Sequence, residues 1–204
     1  NMIKLSDILV DRAKTPFAVR CEKPSVVWRA AGEKQTSYRI GVAKSRYKAI
    51  NGQFDVYDSG VTESEETIGH AVGAELESCT TYYVSVTIYG ENGGEDSAVV
   101  RFRTELSAED WKGHWTFMPL NSVGGSSLYR KNIVLPDEPV EEAFAYCAGI
   151  GCHELFVNGK KADDRLFSPV NSDYEKRIYY TVYELTDRLI AGDNVIGVEL
   201  APWW

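Results

Sequence analysis

The chain has 204 residues, of which 44% are hydrophobic and 25% are charged, fractions that are ordinary for a globular protein. Its formal net charge of −8 argues against nucleic acids and anionic membrane surfaces as partners, because both are bound through clustered Lys and Arg. No apolar run approaches the roughly 20 residues that span a bilayer, and the first residues lack the pattern of a signal peptide.

Segments in which apolar and polar residues alternate recur along the chain and predict β-strands with one buried face. In chain order they are SYRIGVAKS, TTYYVSVTIYG, SAVVRFRTE, SLYRKNIVL and NVIGVEL. Turn clusters such as DSG, GENGGED and AGDN separate them. Only residues 107–111 and 183–189 are predicted to form single helical turns, the second with Thr186 as N-cap. The pattern predicts an all-β protein built from antiparallel β-sandwiches.

The strand pattern ends near residue 105, and a new pattern starts after a short turn. We therefore predict a first domain over residues 1–106, a linker over 107–112 and a second domain over 113–204. The four cysteines show no zinc-site spacing, and we expect free, largely buried thiols. A disulfide is the alternative that remains open. The cysteines are Cys21, Cys79, Cys147 and Cys152.

The run LESCTTYYVSV resembles the corner before the F strand of fibronectin type III domains. Leu76, Thr80 and Tyr82 match the spacing of that corner, and Trp28 matches the B-strand Trp of the same fold. The corner Tyr of such domains returns its hydroxyl to a nearby backbone group and holds the crossover between the sheets. The first domain is therefore predicted to be a fibronectin type III or Ig-like scaffold in which Trp28 and Tyr82 are structural.

The second half resembles the N-terminal region of bacterial α-L-rhamnosidases of glycoside hydrolase family 78. The resemblance rests on TELSAEDWKGHW, LYRKNIVL, ELFVNGKKADD and the final run from SDYEKRIYY to APWW. In that family a fibronectin-like domain precedes a jelly-roll, galactose-binding-like sandwich with an Asn-Gly hairpin and a Gly-x-Asn turn, which Gly192 and Asn194 match. The Gly-rich end of the family motif is replaced by APWW, so that only Trp204 or Trp203 matches its Trp. The resemblance implies that the jelly-roll is truncated at its C-terminus.

The resemblance implies an accessory role. Family members hydrolyse terminal α-L-rhamnose with inversion, using two carboxylates in an (α/α)6 barrel several hundred residues further along the chain. We therefore expect a non-catalytic fragment of a periplasmic or secreted enzyme, whose partners are that barrel and a rhamnose-containing glycan. Exposed edges left by the truncation predict a homodimer. An autonomous carbohydrate-binding module and a cell-surface adhesion module are the alternatives.

The residues themselves support the absence of catalysis. The 30 Asp and Glu residues lie in turns and on outward strand faces, and the three His residues are widely separated, so we predict no catalytic residue.

The stretch HELFVNGKKADD predicts a hairpin with a type I′ turn at Asn158 and Gly159, since both accept positive φ. The functional alternative is calcium-linked sugar binding by Asp163 and Asp164, because calcium is bound by carboxylate and carbonyl oxygens. Trp203 and Trp204 would then stack on the sugar. No other cofactor is expected.

Overall fold

A computed structural model describes residues 2–116 and 125–202 of the chain. The chain divides into two compact units, Asn1–Gly113 and His114–Trp204, called here the first and the second unit. The predicted linker, residues 107–112, lies at the end of the first unit. Both units consist of strands packed as β-sandwiches, and the all-β prediction is confirmed. Within the described residues, no helix is long and apolar enough to cross a membrane.

Over residues 2–113 the first unit forms nine strands in two sheets. One sheet has the order β1-β3-β7, and the other has the order β2-β9-β8-β4-β5 with β6 also paired to β4. All described pairs are antiparallel except β2 with β9. The strands are β1 (Lys4–Val10), β2 (Phe17–Val19), β3 (Ser25–Ala31), β4 (Gln35–Ala43), β5 (Tyr57–Asp58), β6 (Thr62–Glu63), β7 (His70–Ala71), β8 (Thr81–Gly90) and β9 (Glu95–Thr104).

The core of the first unit follows from the alternation along β8. Its even-numbered positions from Tyr82 to Ile88 point inwards and are buried, as the period-two pattern predicts. They pack against Trp28 of β3 and Phe102 of β9.

The sequence did not predict helix α1 (Arg46–Ile50). Its N-cap is Ser45, and the side chain of Ser45 accepts a hydrogen bond from the backbone N–H of Lys48. The five residues of the helix are too few to show a helical repeat.

The described residues of the second unit form six strands in two facing sheets. A four-stranded sheet has the order β10-β15-β12-β13, and a two-stranded sheet pairs β11 with β14. All these pairs are antiparallel. The strands are β10 (Ser127–Leu135), β11 (Phe144–Ala148), β12 (Cys152–Val157), β13 (Lys160–Lys161), β14 (Tyr180–Glu184) and β15 (Gly192–Ala201).

The core of the second unit is small. Leu155 and Val157 of β12 and Tyr183 of β14 are buried in it, with Ile196 and Val198 of β15 packed against them.

Thr186 does not act as an N-cap, contrary to the prediction. Its hydroxyl accepts a hydrogen bond from the backbone N–H of Ala143 (3.1 Å) and so connects the turn after β14 to the residue before β11.

All four cysteines are free, as expected, but each is only half-buried. The expectation of largely buried thiols was wrong, because Cys21 and Cys79 lie in loops, and Cys147 and Cys152 lie on strands that are only partly covered.

Candidate functional site

The Asn-Gly hairpin connects β12 to β13. Asn158 has a φ of 50° and Gly159 a φ of 78°, so both central residues adopt the left-handed conformation that a type I′ turn requires. The Asn158 side chain accepts a hydrogen bond from the backbone N–H of Val195 and donates one to the side-chain oxygen of Asn194, each at 2.9 Å. The hairpin is thereby anchored to β15.

Asn194 is the buried end of this amide pair and is 1% exposed. Its side-chain oxygen also accepts from the backbone N–H of Ile190, and its amide group donates to the carbonyl oxygens of Ile190 and Gly192. Every polar atom of the side chain is therefore used to close the turn that leads into β15. These hydrogen bonds give a structural reason for the Asn in the Gly-x-Asn turn that the sequence shares with the family.

Of the four residues predicted to bind calcium and sugar, only Asp163 and Asp164 lie in the described part of the chain. The carboxylate of Asp163 forms an ion pair with Arg165, whose guanidinium also donates to the carbonyl oxygen of Val182 (2.6 Å) and lies 4.8 Å from the centre of the Tyr183 ring. Asp164 is exposed, while Trp203 and Trp204 lie outside the described residues. The calcium and sugar roles of these four residues stay predictions.

Acidic groups in the described residues show no sign of a general acid. No group of three or more His, Cys, Asp or Glu side chains is placed there to hold a metal ion. Hydrogen bonds from Arg39 lower the pKa of Asp58, and those from Ser78 and Ser107 lower the pKa of Asp110. A glycosidase acid needs the opposite, a carboxyl group whose pKa is raised.

The predicted structural residues of the first unit lie in its core. The Tyr82 hydroxyl accepts a hydrogen bond from the backbone N–H of Glu77 (3.0 Å), and burial raises the pKa of this phenol. The Trp28 indole N–H donates to the side-chain oxygen of the buried Gln35 (2.9 Å). The two contacts join residues that lie five and seven positions apart in the chain, and both serve to hold the local structure around the core.

The second unit contains an open cleft of about 850 Å³, called here the inter-sheet cleft. Its floor is the inward face of the four-stranded sheet, represented by Tyr129 of β10 and Ile196, Val198 and Leu200 of β15. Cys147 of β11 forms part of its wall. The lining of the cleft is mainly apolar, although Arg130 and Lys131 are also part of it.

His153 of β12 is the unusual residue of the cleft. It is 3% exposed, and neither ring nitrogen has a hydrogen-bond partner among the described residues. Burial lowers the pKa of the imidazole, the nearby charge of Arg165 lowers it further, and Asp163 acts in the opposite direction. The sequence analysis did not single out this residue. Its spacing of two positions from Leu155, which is itself two positions from Val157, could have indicated that all three side chains face inwards.

Two further groups near His153 are shifted by burial. Burial raises the pKa of the Cys147 thiol to about 11. It also raises the pKa of the Tyr183 phenol to about 12, with a further contribution from the charge of Asp163. All three groups are therefore held in their neutral forms near pH 7, so Cys147 and His153, the two that line the cleft, bring no charge to it.

Comparisons with known proteins identify both units. A family model described as "Rha78A-like, N-terminal immunoglobulin domain" matches residues 5–108, about half of the chain. A second model, "Alpha-L-rhamnosidase N-terminal domain", matches residues 138–204. An alpha-L-rhamnosidase of Formosa agariphila is 28% identical over 95% of this chain, which corresponds to 23% of that relative. One of Streptomyces avermitilis is 31% identical over 37% of this chain and 7% of the relative.

Solved structures agree with these matches. The alpha-L-rhamnosidase from "Dictyoglumus thermophilum" superposes with a TM-score of 0.83 at 28% identity, over 99% of this chain and 25% of that one. The Aspergillus terreus enzyme superposes with a TM-score of 0.81 at 21% identity, over 99% of this chain and 24% of that one, which shows the shared fold. The chain thus spans about a quarter of the length of these relatives. It belongs to the family of Rha78A-like N-terminal immunoglobulin domains, here followed by an α-L-rhamnosidase N-terminal domain.

Proposed function

We propose that the chain is the non-catalytic N-terminal region of an α-L-rhamnosidase. The observation that carries the proposal is the alignment with the Formosa agariphila alpha-L-rhamnosidase, which takes in 95% of this chain but only 23% of the relative. The region conserved between the two proteins is therefore a minor part of an enzyme. The lowered carboxyl pKa values described above support a role other than acid catalysis.

The reaction of the whole protein is then the release of terminal α-L-rhamnose by inverting hydrolysis. In such a reaction one carboxylic acid protonates the leaving oxygen, and a second carboxylate activates water on the opposite face of the sugar. Both groups lie outside this chain, in an (α/α)6 barrel. The enzyme is periplasmic or secreted, where rhamnose-containing glycans are accessible to it.

The two sandwiches serve as a folded support for that barrel. Buried polar side chains of the two sandwiches, such as those of Tyr82 and Asn194, form internal hydrogen bonds. Hydrogen bonds of this kind hold loops and turns in one conformation, which suits a rigid accessory region. They do not offer the pair of carboxyl groups across a cleft that hydrolysis requires.

The gene that encodes this chain provides the test. We expect its full-length product to be several times longer than 204 residues and to release nitrophenol from 4-nitrophenyl α-L-rhamnoside. The matched control substrate is 4-nitrophenyl β-D-glucoside, which should not be cleaved. A full-length product that is inactive on α-L-rhamnosides, or a gene that ends with this chain, would contradict the proposal.

A further inference from the structure

Asn-Gly pairs occur three times in the sequence, at Asn51-Gly52, Asn92-Gly93 and Asn158-Gly159. In such a pair the backbone nitrogen of Gly attacks the preceding side-chain amide more readily than in other pairs, because Gly has no Cβ to hinder the approach. All six residues are exposed, so water reaches each pair. The hydrogen bonds around each pair therefore decide which of them reacts.

The side chain of Asn158 is held by its oxygen and by its nitrogen. The oxygen accepts from the backbone N–H of Val195, and the nitrogen donates to Asn194 and to the carbonyl oxygen of Arg188 (3.3 Å). Cyclisation moves Cγ towards the nitrogen of Gly159, and this movement breaks these bonds together. A group bonded in this way reacts only during local opening of the folded state. Asn158 is therefore protected.

Asn92 lies in the hairpin between β8 and β9. Its backbone N–H donates to the carboxylate of Glu33 (2.9 Å), and the backbone N–H of Gly93 donates to the carbonyl oxygen of Gly90 (3.1 Å). The nitrogen that would attack thus keeps its proton in a hydrogen bond. The negative charge of Glu33 also opposes the negative charge that this nitrogen carries when it attacks. Both effects slow the reaction at Asn92.

Asn51 is the C-cap of α1 and has the weakest restraints. Its side chain forms one hydrogen bond to a described residue, from Nδ2 to the carbonyl oxygen of Tyr47 (2.7 Å). The backbone N–H of Gly52 reaches the carbonyl oxygen of Ala49 only at 3.5 Å, and a Cβ at Gly52 would meet no atom within 4 Å. The ψ angle of Asn51 is 10°, so the nucleophile must rotate towards Cγ. That rotation requires only the opening of the last turn of a five-residue helix, and helix ends of this kind fray readily.

We propose that Asn51 is a modification site, at which the folded protein deamidates in preference to Asn92 and Asn158. The nitrogen of Gly52 loses its proton to solvent and forms a bond to Cγ of Asn51, while the Cγ–Nδ2 bond breaks and Nδ2 leaves as ammonia. The product is a cyclic succinimide. Water then opens the ring at one of its two carbonyl groups and leaves aspartate or isoaspartate. Water is the co-reactant, and nothing is oxidised or reduced.

The conversion affects a segment that covers the sheet containing β4. Each product adds one negative charge to the formal net charge of −8, at the carboxyl end of a helix, where a negative charge is unfavourable. Isoaspartate also lengthens the main chain between α1 and Phe54. The ring of Phe54 lies directly on Gly41 of β4, where an added Cβ would come within 2.3 Å of it, and the guanidinium of Arg39 lies 5.0 Å from the ring centre. We therefore expect isoaspartate at position 51 to loosen this packing.

Peptide mapping by mass spectrometry tests the assignment in the folded 204-residue chain, incubated in mildly alkaline buffer made with heavy-oxygen water. Each conversion then carries a heavy oxygen, which distinguishes it from earlier damage. The same chain in denaturing urea is the reference, because the three pairs react at similar rates there. We expect Asn51 of the folded chain to stay within ~tenfold of its reference rate, because the end of a short helix frays. Asn158 should slow at least ~hundredfold because its hydrogen bonds must break together, and Asn92 should lie between the two.

Matched variants check the result through the ammonia that the folded chain releases. Asn51→Gln should remove most of it, because Gln cyclises far more slowly, whereas Asn158→Gln should leave it unchanged. The deamidated fraction, separated by ion exchange, should melt at a lower temperature than the unmodified chain, and equal melting temperatures would refute the effect on the packing of Phe54. Conversion in the folded chain that is fastest at Asn92 or Asn158, or equal at all three pairs, would overturn the proposal. An ammonia yield that is the same with and without Asn51→Gln would also overturn it.

Discussion

The corner tyrosine of the first unit offers the most quantitative test of the fold. Tyr82→Phe removes only the hydroxyl, which accepts the hydrogen bond from the backbone N–H of Glu77 (3.0 Å). The ring is 1% exposed and stacks at 5.7 Å on Phe102, and the substitution leaves that packing in place. Any loss of stability can therefore be assigned to the hydrogen bond.

The expected size of the loss follows from that geometry. One neutral hydrogen bond contributes about 0.5–1.5 kcal/mol net, and because the Glu77 side is exposed, water can replace part of the bond. We expect Tyr82→Phe to lower the free energy of unfolding by ~1 kcal/mol. For a unit of this size that corresponds to a decrease in melting temperature of roughly 4–8 °C.

Urea denaturation followed by the fluorescence of Trp28, with the other four tryptophans replaced by Phe, measures the change. The matched control is Tyr83→Phe, which removes a phenol hydroxyl from the adjacent, outward-facing position of β8 and should change the free energy of unfolding by less than ~0.5 kcal/mol. Equal midpoints for the two variants would refute the role assigned to the corner hydroxyl. A changed slope with denaturant would show that the variant altered compactness instead.

Three further predictions concern the second unit, each read from urea midpoints. Gly159→Val should destabilise it by about 1–2 kcal/mol because a β-branched residue resists positive φ, whereas Gly159→Asn should cost much less; equal effects would contradict the type I′ turn. Asn194→Ala should cost about 3 kcal/mol because several buried bonds are lost together, while Asp193→Ala, at an exposed neighbour, should cost less than ~0.5 kcal/mol; similar costs would disprove the anchoring role. Because burial lowers the folded-state pKa of His153, the unfolded chain binds the proton first, so the stability contribution is complete above about pH 6.5 and is lost progressively as the pH falls below that value. His153→Phe should flatten that decrease, and an unchanged slope would contradict the buried neutral imidazole.

Local rules were sufficient for most of the strands. The alternation around Tyr82 and around Leu155 correctly predicted which side chains are buried, because a half-buried strand has a strict period of two. The Asn-Gly dipeptide likewise indicated its turn, since few other pairs accept positive φ twice. The confirmed family resemblance then ordered these pieces into two sandwiches.

Features that depend on tertiary contacts could not be predicted from the sequence. Asp163 was read as a metal ligand, but whether its carboxylate pairs with Arg165 depends on how the loop after β13 folds back towards β14. The alternation along β12 indicates that His153 faces inwards. That its ring nitrogens have no hydrogen-bond partner among the described residues becomes visible only in the folded structure. Helix α1 was missed because its Ser45 cap, rather than an apolar stripe, determines where it begins.

The central claim is that these residues support a rhamnosidase and perform no step of its reaction. Incubation of the purified 204-residue chain with 4-nitrophenyl α-L-rhamnoside tests it most directly. We predict a rate of nitrophenol release equal to that of the buffer blank. Release that scales with the concentration of the chain, and that disappears when Asp163 and Asp164 are replaced by Asn, would contradict the claim.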